Sequence, residues 1–163
     1  MSDARDPESH LVLELPAGKV TIQLRPDLAP QHVERLKTLA RDGFYDGTVF
    51  HRVMDGFMAQ GGDPTGTGTG GSPHANLPAE FSQEAFVRGT CGMARSQAPN
   101  SANSQFFICF ADARFLDGQY TVWGQVVEGM EAVDALKKAP AHDRSGTVPD
   151  PDKLLSMKVL ADA

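Results

Sequence analysis

What most constrains this chain is how soon each of its apolar runs ends. From Thr48 to Val127 the sequence is a succession of short apolar runs, each cut off by a glycine-rich loop. Runs this short, flanked by turn residues, are read as strands. Strands are expected near 49–53, 57–60, 90–94, 105–109 and 121–127. Upstream, 10–15 and 19–24 are two more β-rich runs, and Pro16, Ala17 and Gly18 between them supply the turn of a hairpin. A last strand is expected over 154–160. Only two stretches change to the helical period. Over 30–40, Val33, Leu36 and Ala40 share one face, Pro30 suits the first turn and Gly43 lies beyond the end. Over 130–138, Met130, Val133 and Leu136 mark the inner face, and Lys137 and Lys138 suit the negative end of the helix dipole. Many strands with two helices predict a mainly β fold, a closed barrel, because closure leaves no strand edge exposed.

A length of 163 residues suits a single domain with a substantial core. The polar, acidic start, MSDARDPESH, has no apolar heart and is not a secretory signal. Residues 1–9 are read as a flexible leader and 10–163 as the domain. Fifteen basic against twenty-one acidic residues give a net charge of −6, which argues against a nucleic-acid partner. No apolar run approaches the roughly eighteen residues of a membrane span, so no membrane association is expected. Cys91 and Cys109 lack CxxC spacing and sit among apolar residues, which reads as two reduced, buried thiols and a cytoplasmic location.

Several familiar motifs fail on context. Gly66, Gly68 and Gly71 have dinucleotide-loop spacing, but the following Ser72-Pro73-His74-Ala75-Asn76-Leu77-Pro78 is hostile to the helix that motif needs. The five histidines (His10, His32, His51, His74, His142) form no ligand pair, so no metal and no cofactor are expected. Ser96, Ser101 and Ser104 lack the strained turn of a hydrolase nucleophile.

What remains is FHRVMDGFMAQGGD at 50–63 with SQFFICF at 104–110. The first gathers Arg52, Phe57, Met58 and Gln60; the second adds Gln105 and Phe107. Neither contains an obvious nucleophile or acid–base pair. One fixed cation, two amides and an apolar pocket suit chemistry that breaks no bond, such as rotation about the peptide bond before proline. Two glutamines inside apolar strands call for a polar partner, and a substrate amide would serve. Phe106 and Phe107 are adjacent on one strand, so Phe106 should fill the barrel while Phe107 faces outward into a pocket. Trp123 is most simply core.

These segments resemble the cyclophilin family of peptidyl-prolyl isomerases. The likeness rests on FHRV at 50–53, GFMAQGGD at 56–63, GTGTGG at 66–71, MARSQAPNSANSQFFICF at 93–110 and FLDGQYTVWG at 115–124, and it extends from about His10 to Leu160. It is nearest to the short, single-domain cytoplasmic type found in bacteria. The resemblance implies a closed, eight-stranded antiparallel barrel capped by two helices, and a folding-assisting isomerase that acts on proline-containing polypeptides as a monomer. Its catalytic arginine falls on Arg52, with Gln60 and Phe107 beside it. The proline pocket falls on Phe57, Met58, Phe107 and Leu116, and amide contacts to substrate on Gln60, Gln105 and the main chain near Arg95. Gly68, Ala94, Ser96, Phe115 and Tyr120 complete the groove wall. Four positions depart from the familiar eukaryotic pattern: Arg95 stands for asparagine, Ser96 for alanine, Phe115 for tryptophan and Tyr120 for histidine. The lost indole N–H at Phe115 implies weak cyclosporin binding. Arg95 has two readings, a charge that favours acidic residues near the proline or a solvated arginine.

Overall fold

A computed structural model describes residues 6–68, 70–140 and 145–163. Strands β1 (His10–Leu15) and β2 (Gly18–Leu24) form the expected hairpin, with Leu15 opposite Gly18 across a two-residue turn. Helix α1 (Pro30–Arg41) follows, then β3 (Arg52–Met54), β4 (Met58–Gly61), β5 (Thr90–Met93), β6 (Phe106–Cys109) and β7 (Val122–Glu128). Helix α2 (Met130–Asp134) and β8 (Ser156–Val159) complete the chain. All strand pairs are antiparallel and form one eight-stranded sheet in the order β3-β4-β6-β5-β7-β2-β1-β8.

That order corrects the expectation of a closed barrel. The sheet curls into a half-barrel whose two edge strands, β3 and β8, are not joined by a ladder. The reason lies in the irregular segment between 145 and 154, which occupies the gap. Val53 N–H donates to Gly146 O at 3.0 Å, Val148 N–H to His51 O at 3.0 Å, and Phe50 N–H to Asp152 O at 2.9 Å. The edge of β3 is thus covered by single bridges from a loop rather than by a strand, another way of hiding open hydrogen-bonding groups. The same competition shortens α2, expected to reach residue 138. Lys137 N–H is taken by the Asp152 carboxylate at 2.8 Å and Ala139 N–H by Val53 O at 2.8 Å, so the backbone leaves the helical path.

The two helices lie against different parts of the sheet, α1 packing on β8 and α2 on β2. Helix α1 has no side-chain cap from Ala29; instead Glu80, from a distant loop, accepts Gln31 N–H at 3.2 Å and His32 N–H at 2.9 Å. A carboxylate at a helix N-terminus also meets the positive end of the dipole. One face of α1 buries His32, Val33, Leu36, Leu39 and Ala40. From the other face Arg35 donates to Ala75 O at 2.6 Å and Asn103 O at 3.2 Å, bracing the loops beside the candidate site. Pro7–Ser9 form a single 3-10 turn, where Glu8 pairs with Lys37 at 3.0 Å and Arg41 at 2.9 Å; the rest of the segment read as a leader, residues 1–5, lies outside the described residues. Among the described residues no helix is long and apolar enough to cross a membrane.

Apolar side chains fall into two clusters. The larger fills the concave interior, with Tyr45, Phe50, Phe106 and Trp123 among its fully buried members. The smaller lies on the outer face of β4, β5, β6 and β7 and contains Met58, Phe86, Phe107, Cys109, Ala113, Leu116 and Val122.

Candidate active site

The outer cluster exists because strand residues alternate sides. Phe106 enters the interior cluster and Phe107 the outer one. On β4, Ala59 points inward while Met58 and Gln60 flank the outer side. Register then stacks the key positions across strands: Arg52 lies opposite Gln60, Gln60 opposite Phe107, and Phe107 opposite Gly92. Gly92 is required here, since a Cβ on it would sit 2.5 Å from Phe107 Cζ and 2.8 Å from Phe86 Cε2. Without that Cβ, Phe107 lies over β5 and stacks on Phe86 with ring centres 5.8 Å apart. Tyr120 meets Phe107 edge-on at 5.6 Å.

Over this floor opens a cavity of about 120 Å³ lined by Arg52, Phe57, Met58, Gln60, Ala94, Arg95, Phe107, Leu116 and Tyr120. A larger polar hollow of about 380 Å³ adjoins it and shares Gln60, Ala94 and Arg95. Gly68, Ser96 and Gln105 line that hollow instead. Phe115 lines neither. It leans on Phe57 with ring centres 5.5 Å apart and is 72% exposed, an aromatic rim beside the cavity.

The polar groups form one chain across the strands. Arg52 Nε donates to Ser145 O at 3.0 Å and Nη1 approaches Gln60 Oε1 at 3.4 Å. Gln60 Nε2 donates to Gln105 Oε1 at 3.0 Å, and Gln105 Nε2 donates to Gly68 O at 3.0 Å and Gly70 O at 2.9 Å. The two glutamines therefore find their partners in each other and in the glycine loop. Among the described residues Arg52 forms no ion pair, and its guanidinium lines the cavity.

The glycine loop is held by Asp63, to which the sequence reading gave no role. Its buried carboxylate accepts Thr65 N–H and Oγ–H at 2.8 Å each, and also the N–H groups of Thr67, Gly68 and Gly70. Burial works against its charge, but these donors win and hold the carboxyl at about 2. The signal was present, since an aspartate followed by threonine and glycines favours side-chain-to-backbone turns. Phe81 and Phe86, which also support the site, stand in loops where no sequence pattern marks them.

Cys109, beneath the cavity floor, has its thiol pushed up to about 12 by burial, which suppresses the nucleophilic thiolate. Among the described residues no group of three His, Cys, Asp or Glu side chains could hold a metal ion; His142 lies outside them. No helix follows Gly71, so the glycine spacing at 66–71 has no dinucleotide context.

Comparison with known proteins agrees with this geometry. Residues 10–159 match the family described as cyclophilin type peptidyl-prolyl cis-trans isomerase/CLD. A Brucella suis protein named "Probable peptidyl-prolyl cis-trans isomerase" is 54% identical, over 99% of this chain and 87% of its own length. A peptidyl-prolyl cis-trans isomerase of Synechococcus elongatus is 40% identical, covering 93% of this chain and 97% of that protein. Among solved structures, a cyclophilin from Hirschia baltica superposes with a TM-score of 0.85 at 28% identity, over 97% of this chain and 76% of that one. A Cryptosporidium parvum cyclophilin type isomerase, crystallised in the presence of the dipeptide Ala-Pro, gives 0.84 at 30% identity, over 92% and 98%. With a family match over residues 10–159, a relative 54% identical along nearly the whole chain and the same overall fold in solved cyclophilins, the chain belongs to the cyclophilin-type peptidyl-prolyl cis-trans isomerases.

Proposed function

We propose that this isomerase turns X-Pro bonds by holding the proline ring in the cavity over Phe107 while Arg52 donates a hydrogen bond to the proline nitrogen. The observation that carries the proposal is the presence of the Arg52 guanidinium, without an acidic partner among the described residues, on the wall of a cavity otherwise lined by Phe57, Met58, Phe107 and Leu116.

Resonance holds the X-Pro amide planar, with a barrier of roughly 18–20 kcal/mol. Bringing the exchange from about a hundred seconds to about a millisecond takes about five decades, or about 7 kcal/mol. As the bond twists, conjugation is lost and the proline nitrogen gains a basic lone pair. A guanidinium aimed there binds the twisted amide more strongly than the planar one, so its attraction lowers the barrier. Arginine suits the task because its charge is permanent and its donor fork rigid. Gln60 couples Arg52 to Gln105 and the glycine loop, which keeps the fork from swinging away between turnovers. Met58, Phe57 and Leu116 grip the ring, while Gln60, Gln105 and the main chain near Ala94 and Arg95 take the polar groups of the preceding residues. Gly68, Ser96 and Tyr120 shape the groove walls. One side of the bond is then fixed while the other rotates.

The substrates are flexible, proline-containing polypeptides, and the cellular role is to assist their folding. The enzyme works without a cofactor, as a cytoplasmic monomer whose isomerase domain spans 10–163. The net charge of −6 disfavours nucleic acid as a partner, and neither sequence nor described helices suggest a membrane. Cyclosporin binds weakly, because Phe115 offers no indole N–H.

The test is NMR exchange spectroscopy on a short Ala-Pro peptide, with the intact protein and Arg52→Ala in parallel. Loss of one aimed donor is expected to slow catalysed exchange by roughly a hundred- to thousandfold, with the spectrum of the fold unchanged. Equal exchange rates for the two proteins would remove Arg52 from the mechanism.

A further inference from the structure

Arg95, with Gln60 and Ala94, lines both the cavity and the polar hollow. Its guanidinium neither hangs in solvent nor waits for a carboxylate. Nε and Nη2 both donate to Gln119 O, at 3.0 and 2.7 Å. Nη1 donates to Ser96 O at 2.9 Å and to Gln97 O at 3.3 Å. An arginine has five N–H donors, and four hydrogen bonds to main-chain carbonyls leave little for a substrate. The guanidinium carbon also lies 4.9 Å from the Tyr120 ring centre and 5.6 Å from that of Phe81, so aromatic rings flank the cation.

The segments it joins have few other ties at this level. The sheet holds the 94–97 segment only at its start, where Ala94 N–H donates to Gln105 O at 3.0 Å. Ser101 holds its far side through Ser96 N–H at 2.9 Å. On the neighbouring turn, Gln119 N–H bonds back to Leu116 O at 2.9 Å. A main-chain bond from Met93 N–H to Thr121 O at 3.0 Å joins the two segments at the edge of the sheet, and beyond it the side chain of residue 95 supplies the cross-tie.

We propose that Arg95 is a positioning residue, a clamp that fixes the lip between cavity and hollow and thereby orients the chain preceding the proline. The clamp selects by geometry, since the charge is spent on carbonyls of its own backbone. This inference rests on the proposed use of the groove by an X-Pro peptide. Lysine keeps the charge but cannot reproduce a planar fork that spans three carbonyls while lying against two rings.

The experiment compares the intact protein, Arg95→Lys and Arg95→Asn in catalysed exchange of a dipeptide, Ala-Pro, and of tetrapeptides with Glu or Lys before proline. Both variants are expected to lose about tenfold in kcat/KM on the tetrapeptides, mostly through KM, as for lost binding that planar and twisted amides share. The dipeptide, which barely reaches the hollow, should lose less, and the Glu-over-Lys ranking should not change. Amide resonances of 94–97 and 119–120 should broaden in both variants while those of the interior strands keep their positions. Wild-type kcat/KM in Arg95→Lys would overturn the clamp, as would a ranking of Glu and Lys peptides that changes in Arg95→Asn. No exchange by the intact protein would instead remove the proposed use of the groove. Should Arg95→Lys lose its cooperative melting, Phe81→Ala carries the test by baring one side of the cation: a KM rise of about threefold supports the clamp, and an unchanged KM overturns it.

Discussion

The sheet is apolar on both faces at β5 and β6, yet the faces are built for opposite ends. On the concave side Phe106 meets Tyr45, Phe50 and Trp123 edge-on, with ring centres 5.5, 6.1 and 6.0 Å apart, and all four rings are buried. On the convex side the neighbouring Phe107 stacks on Phe86, meets Tyr120 edge-on and stops there, leaving about 120 Å³ open above it. The interior is apolar so that it can be filled; the outer patch is apolar so that something else can fill it. A polar frame borders the outer space: Arg52 and Gln60, tied to Gln105 of the adjoining hollow, along one wall and Arg95 along another. Burial alone does not distinguish the two phenylalanines, since Phe107 is only 5% exposed against 0% for Phe106. Only the partners do.

The widest separation between the faces should come from truncating each phenylalanine in turn. Phe106→Ala removes a ring from a packed interior and is expected to cost about 3–5 kcal/mol of stability, read by urea unfolding. The molecules that remain folded should isomerise at close to the normal rate. Phe107→Ala borders a space that already exists, so it should cost roughly half as much, while exchange of an Ala-Pro peptide falls by about a hundredfold because the ring's floor is gone. Equal stability losses with equal activities would erase the distinction between the faces.

Gly92 sharpens the comparison from below. Adding one methyl at Gly92→Ala forces Phe107 and Phe86 to move, since atoms at 2.5 and 2.8 Å cannot coexist with a Cβ. Overpacking of this kind costs up to about 3 kcal/mol. The displaced Phe107 should rise into the cavity, so KM for proline peptides rises along with the loss of stability. A Gly92→Ala protein with unchanged melting and unchanged KM would mean that the outer floor is soft, unlike the interior.

Much of this was legible in the chain. Alternation placed Phe106 inside and Phe107 outside, and both helices and all eight strands stand near their expected positions. The local signals failed where a distant segment supplied the hydrogen bonds. The strand expected at 49–53 is regular only at Arg52–Met54, because Phe50 bonds to Asp152 and His51 to Val148 in a loop about a hundred residues away. The barrel stays open and α2 ends early for the same reason: backbone groups of Ala139, Gly146, Val148 and Asp152 are claimed by β3 and its approach, and Lys137 N–H by the Asp152 carboxylate. At the site, residue types in two short motifs pointed to five of the side chains that line the cavity, Arg52, Phe57, Met58, Gln60 and Phe107, while Ala94, Arg95, Leu116 and Tyr120 came only through the family resemblance. They were silent on Asp63, Phe81 and the true partners of Arg95, whose roles depend on which way a loop turns and not on periodicity.

Asp63 offers the smallest effect and the most specific contrast. Its carboxyl is held at about 2 against an ordinary 3.8, because its burial is outweighed by donors from Thr65, Gly68 and Gly70. A pKa lowered by folding means that the charged form is favoured in the folded state. The stabilisation is therefore complete above pH ~4 and is lost as the pH falls through ~2; a shift of this size corresponds to roughly 2 kcal/mol. Asp63→Asn should remove that pH-dependent share, so urea unfolding of the intact protein and the variant should differ most near pH 5 and converge near pH 2. Loss of the carboxylate frees the N–H groups of Gly68 and Gly70, whose carbonyls hold Gln105. Hydrogen exchange should then speed up in the glycine loop before it does in β1 or β2, which pair deep in the interior. Simultaneous loosening of loop and hairpin in acid would show that the polar frame and the interior core are one cooperative unit, and that the difference between the faces is one of shape alone.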